Sequence, residues 1–184
     1  VGLGHRRLAI VDLTDAGAQP MISADHRFIL TFNGEIYNHK EIKLELERLG
    51  YWFRSDSDSE VALNALSHWG EAALKRFNGM FALGLWDRKA KSLLLARDRY
   101  GIKPLYYAET ASRISFASES KALIQDLGLS RTMDKEALLE YFTFQNIFTD
   151  KTLTKDVKML PAGHFAKISL SNLKPTLNLT KYWD

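Results

Sequence analysis

The 184 residues are 46% apolar and 26% charged, and lysine plus arginine (25) outnumber aspartate plus glutamate (22) by three. This length favours one domain with a sizeable core, and a charge of +3 without a basic run gives no indication of nucleic-acid binding. No apolar stretch is long enough for a membrane span. The absence of cysteine excludes disulfides, cysteine-ligated zinc and a cysteine nucleophile within these residues.

Both ends of the sequence suggest part of a longer polypeptide. It begins at Val1 without an initiator methionine or a signal-peptide pattern, and it ends with the aromatic pair Tyr182-Trp183 before Asp184. We expect a fragment in which residues 1–170 form an incomplete domain and residues 171–184 form a linker to a further domain.

The first predicted elements are strands. Leu3–Asp12 is mostly apolar with charged interruptions, which is typical of a strand that reaches a polar site, and residues 15–20 are predicted as a loop. Phe28–Phe32 is rich in β-branched and aromatic residues and predicts a strand that leads directly into Asn33-Gly34.

Two helices are predicted next. Ile42, Leu46 and Leu49 recur at helical spacing, with Asn38 as the expected cap and Gly50 at the end.

Ser57 and Glu60 have the spacing of a capping box, which predicts a second helix that starts near Ser57. Asp58 would then lie in its first turn.

The remaining sequence is rich in predicted strands. Helices are expected at Lys121–Leu127 and Lys135–Phe142, and a last strand at Phe165–Leu170. Four short apolar runs separated by turn residues predict an antiparallel meander: Met80–Trp86, Ser92–Ala96, Leu105–Ala108 and Ile114–Ala117. The order of elements predicts an α+β fold with helices packed on sheet faces.

Asn33-Gly34-Glu35 has two interpretations. The Asn side-chain amide and the Gly backbone N–H are two donors that can converge on one oxygen, as an oxyanion hole requires. Asn-Gly is also the commonest signal for a type I′ hairpin turn, and spacing alone favours that turn. The helix that begins near Asn38, where a hairpin would need a second strand, weakens the turn interpretation.

Arg7 and Asp58 are a candidate pair for a zwitterionic amino acid. A guanidinium can bind its carboxylate in bidentate fashion, and a carboxylate can bind its ammonium group. Taken separately, each residue is better explained without a ligand, Arg7 as a surface cation and Asp58 as an acid favoured at a helix start.

The segment Arg97–Leu105 combines alternating charges with Gly101 and Pro104, which predicts a solvated hairpin connection. The five histidines are scattered without metal-ligand spacing, so no metal site is expected.

Taken together, six motifs resemble, in order, the glutaminase domain of glutamine-hydrolysing asparagine synthetases, which are class II glutamine amidotransferases. The resemblance extends from Gly4 to about His164, and Lys181–Asp184 is similar to the start of the synthetase domain. The motifs are Gly4–Asp12, Phe32–Asn38, Ser57–Glu60, Phe77–Ala82, Arg97–Tyr107 and Ala117–Leu123.

The resemblance implies an N-terminal-nucleophile hydrolase fold, with two antiparallel sheets sandwiched between helices (αββα). It implies that an N-terminal cysteine attacks the glutamine side-chain amide and that its own α-amino group acts as the base. Asn33 and Gly34 would form the oxyanion hole, and Arg7 would bind the α-carboxylate of glutamine. Asp58 and Glu35 would bind the α-ammonium group. The backbone of Leu8, Ile10 and Val11 would line the site.

The sequence departs from the family at the nucleophile, which is expected about 50 residues before Gly4. These 184 residues should therefore not hydrolyse glutamine by themselves. The implied function of the full-length protein is to supply ammonia to an ATP-dependent synthetase domain that amidates aspartate or a related carboxylate. The alternative is a glutamine-binding or scaffold module without a nucleophile, as in β-lactam synthetases.

The resemblance also implies the surroundings of this domain. The partners would be L-glutamine and the C-terminal synthetase domain, with ATP and Mg²⁺ bound in that second domain and no cofactor in this one. A cytoplasmic protein is expected, and a homodimer is compatible with the family.

Overall fold

A computed structural model describes residues 1–6, 17–125, 128–129, 131–170 and 175–184. The helices are α1 (His39–Arg48), α2 (Asp58–Trp69), α3 (Ala73–Arg76), α4 (Ser120–Ile124) and α5 (Lys135–Phe144), with a 3₁₀ turn at Gly70–Ala72. The strands are β1 (Met21–Ile22), β2 (Phe28–Ile36), β3 (Gly79–Asp87), β4 (Ser92–Arg97), β5 (Tyr106–Glu109), β6 (Ile114–Ala117), β7 (Val157–Met159), β8 (His164–Ser169) and β9 (Thr176–Lys181).

The strands form two antiparallel sheets. The larger has six strands in the order β1-β2-β3-β4-β8-β9, and the smaller has three in the order β6-β5-β7. In the larger sheet, β2 pairs with β3 over nine residues, from Phe28 opposite Asp87 to Ile36 opposite Gly79. This long pairing fixes the position of the Asn33-Gly34 segment.

Strands β3, β4 and β8 of the six-stranded sheet are buried on both faces. Helices α1 and α2 cover one face, where Leu46 and Leu66 belong to the same core as Phe32 and Phe81. On the other face Leu95 belongs to a second core that includes residues of the three-stranded sheet. Alternate side chains of β4 therefore enter different cores, as the two-residue period of a strand requires.

The outer face of the three-stranded sheet is covered by α4, whose Leu123 packs with Ala108 and Val157. The layers are thus helix, sheet, sheet and helix, which confirms the predicted α+β sandwich. Gly84 has a packing role between the sheets, because a Cβ there would lie 2.7 Å from the Phe116 ring.

Helices α1 and α2 occur where they were predicted, but the predicted caps are only partly correct. Ile42 and Leu46 are buried, but Leu49 is half exposed. The Asn38 side chain does not cap α1, since its amide donates to Arg76 O (3.0 Å) and its carbonyl oxygen accepts from Asn78 N (3.0 Å).

Ser57 does cap α2 by accepting from Ser59 N. Glu60 does not complete the capping box. Its carboxylate instead accepts from the backbone N–H groups of Arg54 and Ser55, which precede the helix.

The predicted meander is wrong in its connectivity. β3 and β4 pair in the larger sheet, whereas β5 and β6 pair in the smaller one, so the segment 98–105 crosses between the two sheets. The linker expected over residues 171–184 contains β9, which pairs with β8 from Thr176 to Lys181. Two predictions fall partly outside the described residues. They are the strand expected over Leu3–Asp12, for most of its length, and the last two residues of the helix expected at 121–127.

Within the described part of the chain, none of the helices has the length and apolar character needed to cross a membrane.

Candidate active site

Asn33 and Gly34 lie inside β2, paired with Ala82 and Phe81 of β3. The strand continues through Glu35 to Ile36, so the hairpin-turn interpretation of this segment is wrong. Asn33 and Glu35 are half buried, whereas Ile36 is fully buried. A polar Asn-Gly-Glu segment therefore lies within a strand, paired with β3 on one side and beyond the reach of the short β1 on the other.

Glycine is required at position 34 because the neighbouring strand approaches very closely. A Cβ on Gly34, whose φ is +156°, would lie 2.1 Å from the backbone oxygen of Met80. Gly79 meets the same restriction from the other strand, since its Cβ would lie 2.1 Å from Glu35 O. Glycine at both positions thus lets β2 and β3 pair beside Asn33 without a clash from a Cβ atom.

Gln19 holds the backbone just before Asn33. Its side-chain Oε1 accepts from Phe32 N at 2.6 Å, and its Nε2 donates to Phe32 O at 3.0 Å. The same Nε2 lies 3.5 Å from Ser59 Oγ. One amide side chain therefore pairs with β2 as a neighbouring strand would and connects it to the first turn of α2.

The Asn33 side chain reaches the three-stranded sheet. Its Nδ2 donates to Ser118 Oγ at 3.3 Å, just after β6 ends at Ala117. The two residues are 85 positions apart in the chain. The orientation of the Asn33 amide thus depends on the second sheet as well as on β2.

Asp58 begins α2 and is 5% exposed. Its Oδ2 accepts from Ile36 N at 2.9 Å, which ties the helix start to the end of β2. Burial raises the pKa of the Asp58 carboxyl above its usual value, and Glu35 adds to this shift. The Ile36 N–H and His39 oppose the shift because they favour the charged form.

Four of the predicted site residues line one cavity of about 580 Å³, which we call the β2 cavity: Asn33, Gly34, Glu35 and Asp58. The lining also includes Gln19, Ser118 and the cation Lys103. A carboxylate has about four lone-pair positions, so the bond from Ile36 N leaves Asp58 able to accept from a ligand in this cavity.

The turn after β4 supports this cavity, and the prediction of a solvated hairpin was wrong. Asp98 is completely buried and accepts from the backbone N–H groups of Tyr100, Ile102, Lys103 and Phe81. Four amide donors replace water around its carboxylate, as burial of a charge requires. Asp98 therefore fixes both the backbone of Lys103 and the β3 residue opposite Gly34.

The preceding residue, Arg97, is 9% exposed and donates to the carbonyl groups of Lys103 (2.8 Å) and Leu160 (2.8 Å). Burial lowers the pKa of its guanidinium, and the adjacent Asp98 opposes this shift. The Arg97 carbonyl accepts from the Tyr182 hydroxyl at 2.8 Å. The charged turn is thus an internal support between the two sheets and the C-terminal segment.

The structure brings together half of the predicted site. The other predicted members lie outside the described residues: Arg7, Leu8, Ile10 and Val11. Sequence reasoning missed the contributions of Gln19 and Ser118. Ser118 belongs to the Ala117–Leu123 motif, which marked the segment as part of the family pattern but did not indicate what Ser118 does. Gln19 lies in a predicted loop, where nothing in the sequence indicated a site residue. No group of three or more His, Asp or Glu suited to a metal ion occurs among the described residues.

The profile of the family described as "Glutamine amidotransferase domain" matches residues 1–183. Asparagine synthetase (glutamine-hydrolyzing) 1 of Bacillus subtilis strain 168 is 43% identical over 166 residues, which are 89% of this chain and 26% of that protein. Asparagine synthetase (glutamine-hydrolyzing) 3 of the same organism is 35% identical over 184 residues, 98% of this chain and 29% of that protein. The chain thus spans less than a third of each relative.

A solved structure, the glutamine phosphoribosylpyrophosphate amidotransferase of B. subtilis, superimposes with a TM-score of 0.67 at 17% identity over 97% of this chain and 34% of that one. This likeness concerns the fold and confirms the N-terminal-nucleophile hydrolase type predicted from the motifs. The family assignment rests on the profile match over nearly the whole chain. The chain belongs to the glutamine amidotransferase domain family.

Proposed function

We propose that this domain hydrolyses the side-chain amide of L-glutamine and supplies the released ammonia to a synthetase domain of the same polypeptide. The observation that carries the proposal is the Asn33-Gly34 segment inside β2, where an amide side chain and a backbone N–H border the β2 cavity. The names of the relatives support asparagine synthesis, in which aspartate or a related carboxylate accepts the ammonia.

In the proposed reaction, a cysteine thiolate attacks the side-chain amide carbon of glutamine and negative charge develops on the amide oxygen. Asn33 Nδ2 and the Gly34 N–H stabilise this oxygen, because donors fixed in advance need no reorganisation during the step. The α-amino group of that cysteine, which took up the thiol proton, passes it to the leaving nitrogen, so the C–N bond breaks, ammonia departs and a thioester remains. Water then attacks the thioester, which releases glutamate and restores the thiol. These 184 residues contain no cysteine, so the proposal requires a nucleophile from residues outside them.

The other end of glutamine is recognised by charge. Asp58 and Glu35 receive the α-ammonium group, and Arg7 binds the α-carboxylate beside the backbone of Leu8, Ile10 and Val11. The burial of Asp58 supports its part in this proposal, since an ammonium group would offset the cost of its buried charge.

The synthetase domain, with ATP and Mg²⁺, lies outside residues 1–184 in this proposal. That domain activates the acceptor carboxylate, and the present domain contributes only ammonia. We place the complete protein in the cytoplasm, where ATP is available, and a homodimer is compatible with the proposal.

The test uses the complete polypeptide that contains these residues. Asn33→Asp replaces the amide donor with an acceptor at the developing negative oxygen. We expect glutamate release to fall by at least about 10²-fold, since loss of one oxyanion donor costs about 10²–10³. Synthesis driven by added ammonia should continue at the normal rate, and unfolding temperature should change little. Unchanged glutamate release would contradict the proposal.

The second candidate function is a glutamine-binding or scaffold module without hydrolytic activity. The two functions differ in the complete protein. The hydrolase releases glutamate from glutamine and loses this activity when its N-terminal cysteine is replaced by alanine, whereas the module binds glutamine and releases none.

A further inference from the structure

We propose that Ser118 is a positioning residue that orients the Asn33 side-chain amide for stabilisation of the oxyanion. This inference rests on the proposed glutaminase function. It concerns a contact between two parts of the sandwich: Asn33 belongs to the six-stranded sheet, whereas Ser118 directly follows β6 of the three-stranded sheet.

The geometry places Ser118 beside the proposed reaction centre. Asn33 Nδ2 donates to Ser118 Oγ at 3.3 Å, and both residues line the β2 cavity. Both side chains are half buried, so a substrate can reach the amide that Ser118 contacts.

The chemistry of the amide explains why an orienting partner matters. The terminal torsion of an asparagine side chain is broad, so β2 alone leaves the amide plane free to rotate. The Nδ2 group carries two hydrogens. When one is donated to Ser118 Oγ, the amide plane is fixed and the second hydrogen remains for the substrate oxygen.

A purely structural role explains this contact less well. The two sheets are already joined by a shared apolar core and by the close packing of Phe116 on Gly84. One long hydrogen bond between half-buried side chains adds little to that packing. The contact does, however, involve the one side-chain donor of the proposed oxyanion hole, where a small displacement lowers the rate.

The experiment is a double-mutant cycle in the complete polypeptide with Ser118→Ala, Asn33→Ala and the double variant. Ser118→Ala should lower kcat for glutamate release by about 5- to 30-fold, less than the loss of the donor itself. KM for glutamine should stay within about 2-fold, because the ground state binds through its charged end. In the Asn33→Ala background the same change should alter kcat by less than about 2-fold, since the residue acts through Asn33.

Two further variants isolate the hydroxyl. Ser118→Thr retains it and should recover most of the lost kcat. Ser112→Ala is the matched control, because Ser112 is an exposed serine between β5 and β6. It should behave as wild type. All variants should keep the normal ammonia-dependent rate and unfold within about 2 °C of wild type, as expected for changes outside the core.

The outcomes separate the inference from the function on which it rests. If Asn33→Ala lowers kcat but Ser118→Ala does not, or if the two effects add independently, the positioning role is wrong and the proposed function stands. If wild-type protein releases no glutamate, or if Asn33→Ala leaves kcat unchanged, the proposed function fails and the role of Ser118 fails with it.

Discussion

Asp58→Asn separates the proposed role of Asp58 in glutamine binding from its role in folding. In the wild type, Ile36 N donates to Asp58 Oδ2 at 2.9 Å. The substitution keeps the side-chain shape and an oxygen that can accept this bond, but it removes the negative charge. A hydrogen bond to a charged group contributes about 1.5–3 kcal/mol. At about 1.4 kcal/mol per decade, kcat/KM for glutamine should fall by about 10- to 150-fold.

Although Asp58→Asn should lower activity on glutamine, it should not lower the stability of the fold. Loss of the charge weakens the Ile36 bond by about 1 kcal/mol and removes about 0.3–1 kcal/mol of favourable interaction with the α2 dipole. The raised pKa of Asp58 nevertheless means that the folded protein disfavours the charged form overall. Asp58→Asn should therefore unfold at the same or a higher temperature than wild type at pH 7.

The pH dependence of this difference follows from the same shift. A carboxyl group whose pKa is raised on folding stabilises the fold fully below its unfolded pKa, about 3.9 for aspartate, and this contribution is lost as pH rises through the folded pKa. The stability advantage of the variant should therefore be largest near neutral pH and shrink as the pH falls toward about 4.

The assay compares glutamate release from glutamine with release from an analogue that lacks the α-amino group. The variant should lose much less activity on the analogue, and ammonia-dependent synthesis should be unchanged. Asp56→Asn is the matched control, because the Asp56 side chain is 95% exposed and pairs with Lys43 at the surface. Equal losses on glutamine, analogue and ammonia would refute the assignment of Asp58 to the ammonium group.

Three further substitutions test the site and its support. Arg7→Ala should lower kcat/KM for glutamine by about 10- to 150-fold without affecting ammonia-dependent synthesis, and a loss of both rates would contradict its role. Gly34→Ala should destabilise the fold by about 3 kcal/mol or more in chemical denaturation, because its Cβ would lie 2.1 Å from Met80 O; Gly2→Ala, in open space, is the control. Tyr182→Phe should cost about 1–2 kcal/mol in thermal unfolding through loss of its bond to Arg97 O, whereas the exposed Tyr37→Phe should cost almost nothing.

Local periodicity predicted much of the fold because most elements bury one face. The spacing of Ile42 and Leu46 indicated α1, and the cap at Ser57 placed Asp58 correctly in the first turn of α2. β9 was not predicted because its residues are mostly exposed and give only a weak apolar signal. The division of the strands between two sheets was also missed, since pairing partners depend on contacts distant in sequence.

The site was predicted where a single segment carries its chemistry and missed where it depends on long-range contacts. Asn33-Gly34 was found, but spacing alone favoured the wrong backbone conformation, because the close approach of Met80 is a property of the paired strands. Ser118 lies 85 residues from Asn33, and no local pattern could connect them. The motif resemblance supplied the common ligand that the separate residues did not reveal.

The burial of Arg97 and Asp98 explains why charge composition misled the interpretation of this turn. Alternating charges are usually solvated, but here each charge meets backbone groups of the opposite polarity, carbonyls around Arg97 and amides around Asp98. Backbone groups carry no sequence signature, so this arrangement cannot be recognised from residue types. Its consequence reaches the β2 cavity, because Asp98 also accepts from Phe81 N, and Phe81 is the residue paired with Gly34. The position of the proposed oxyanion donors therefore depends on a buried ion that composition would assign to the surface.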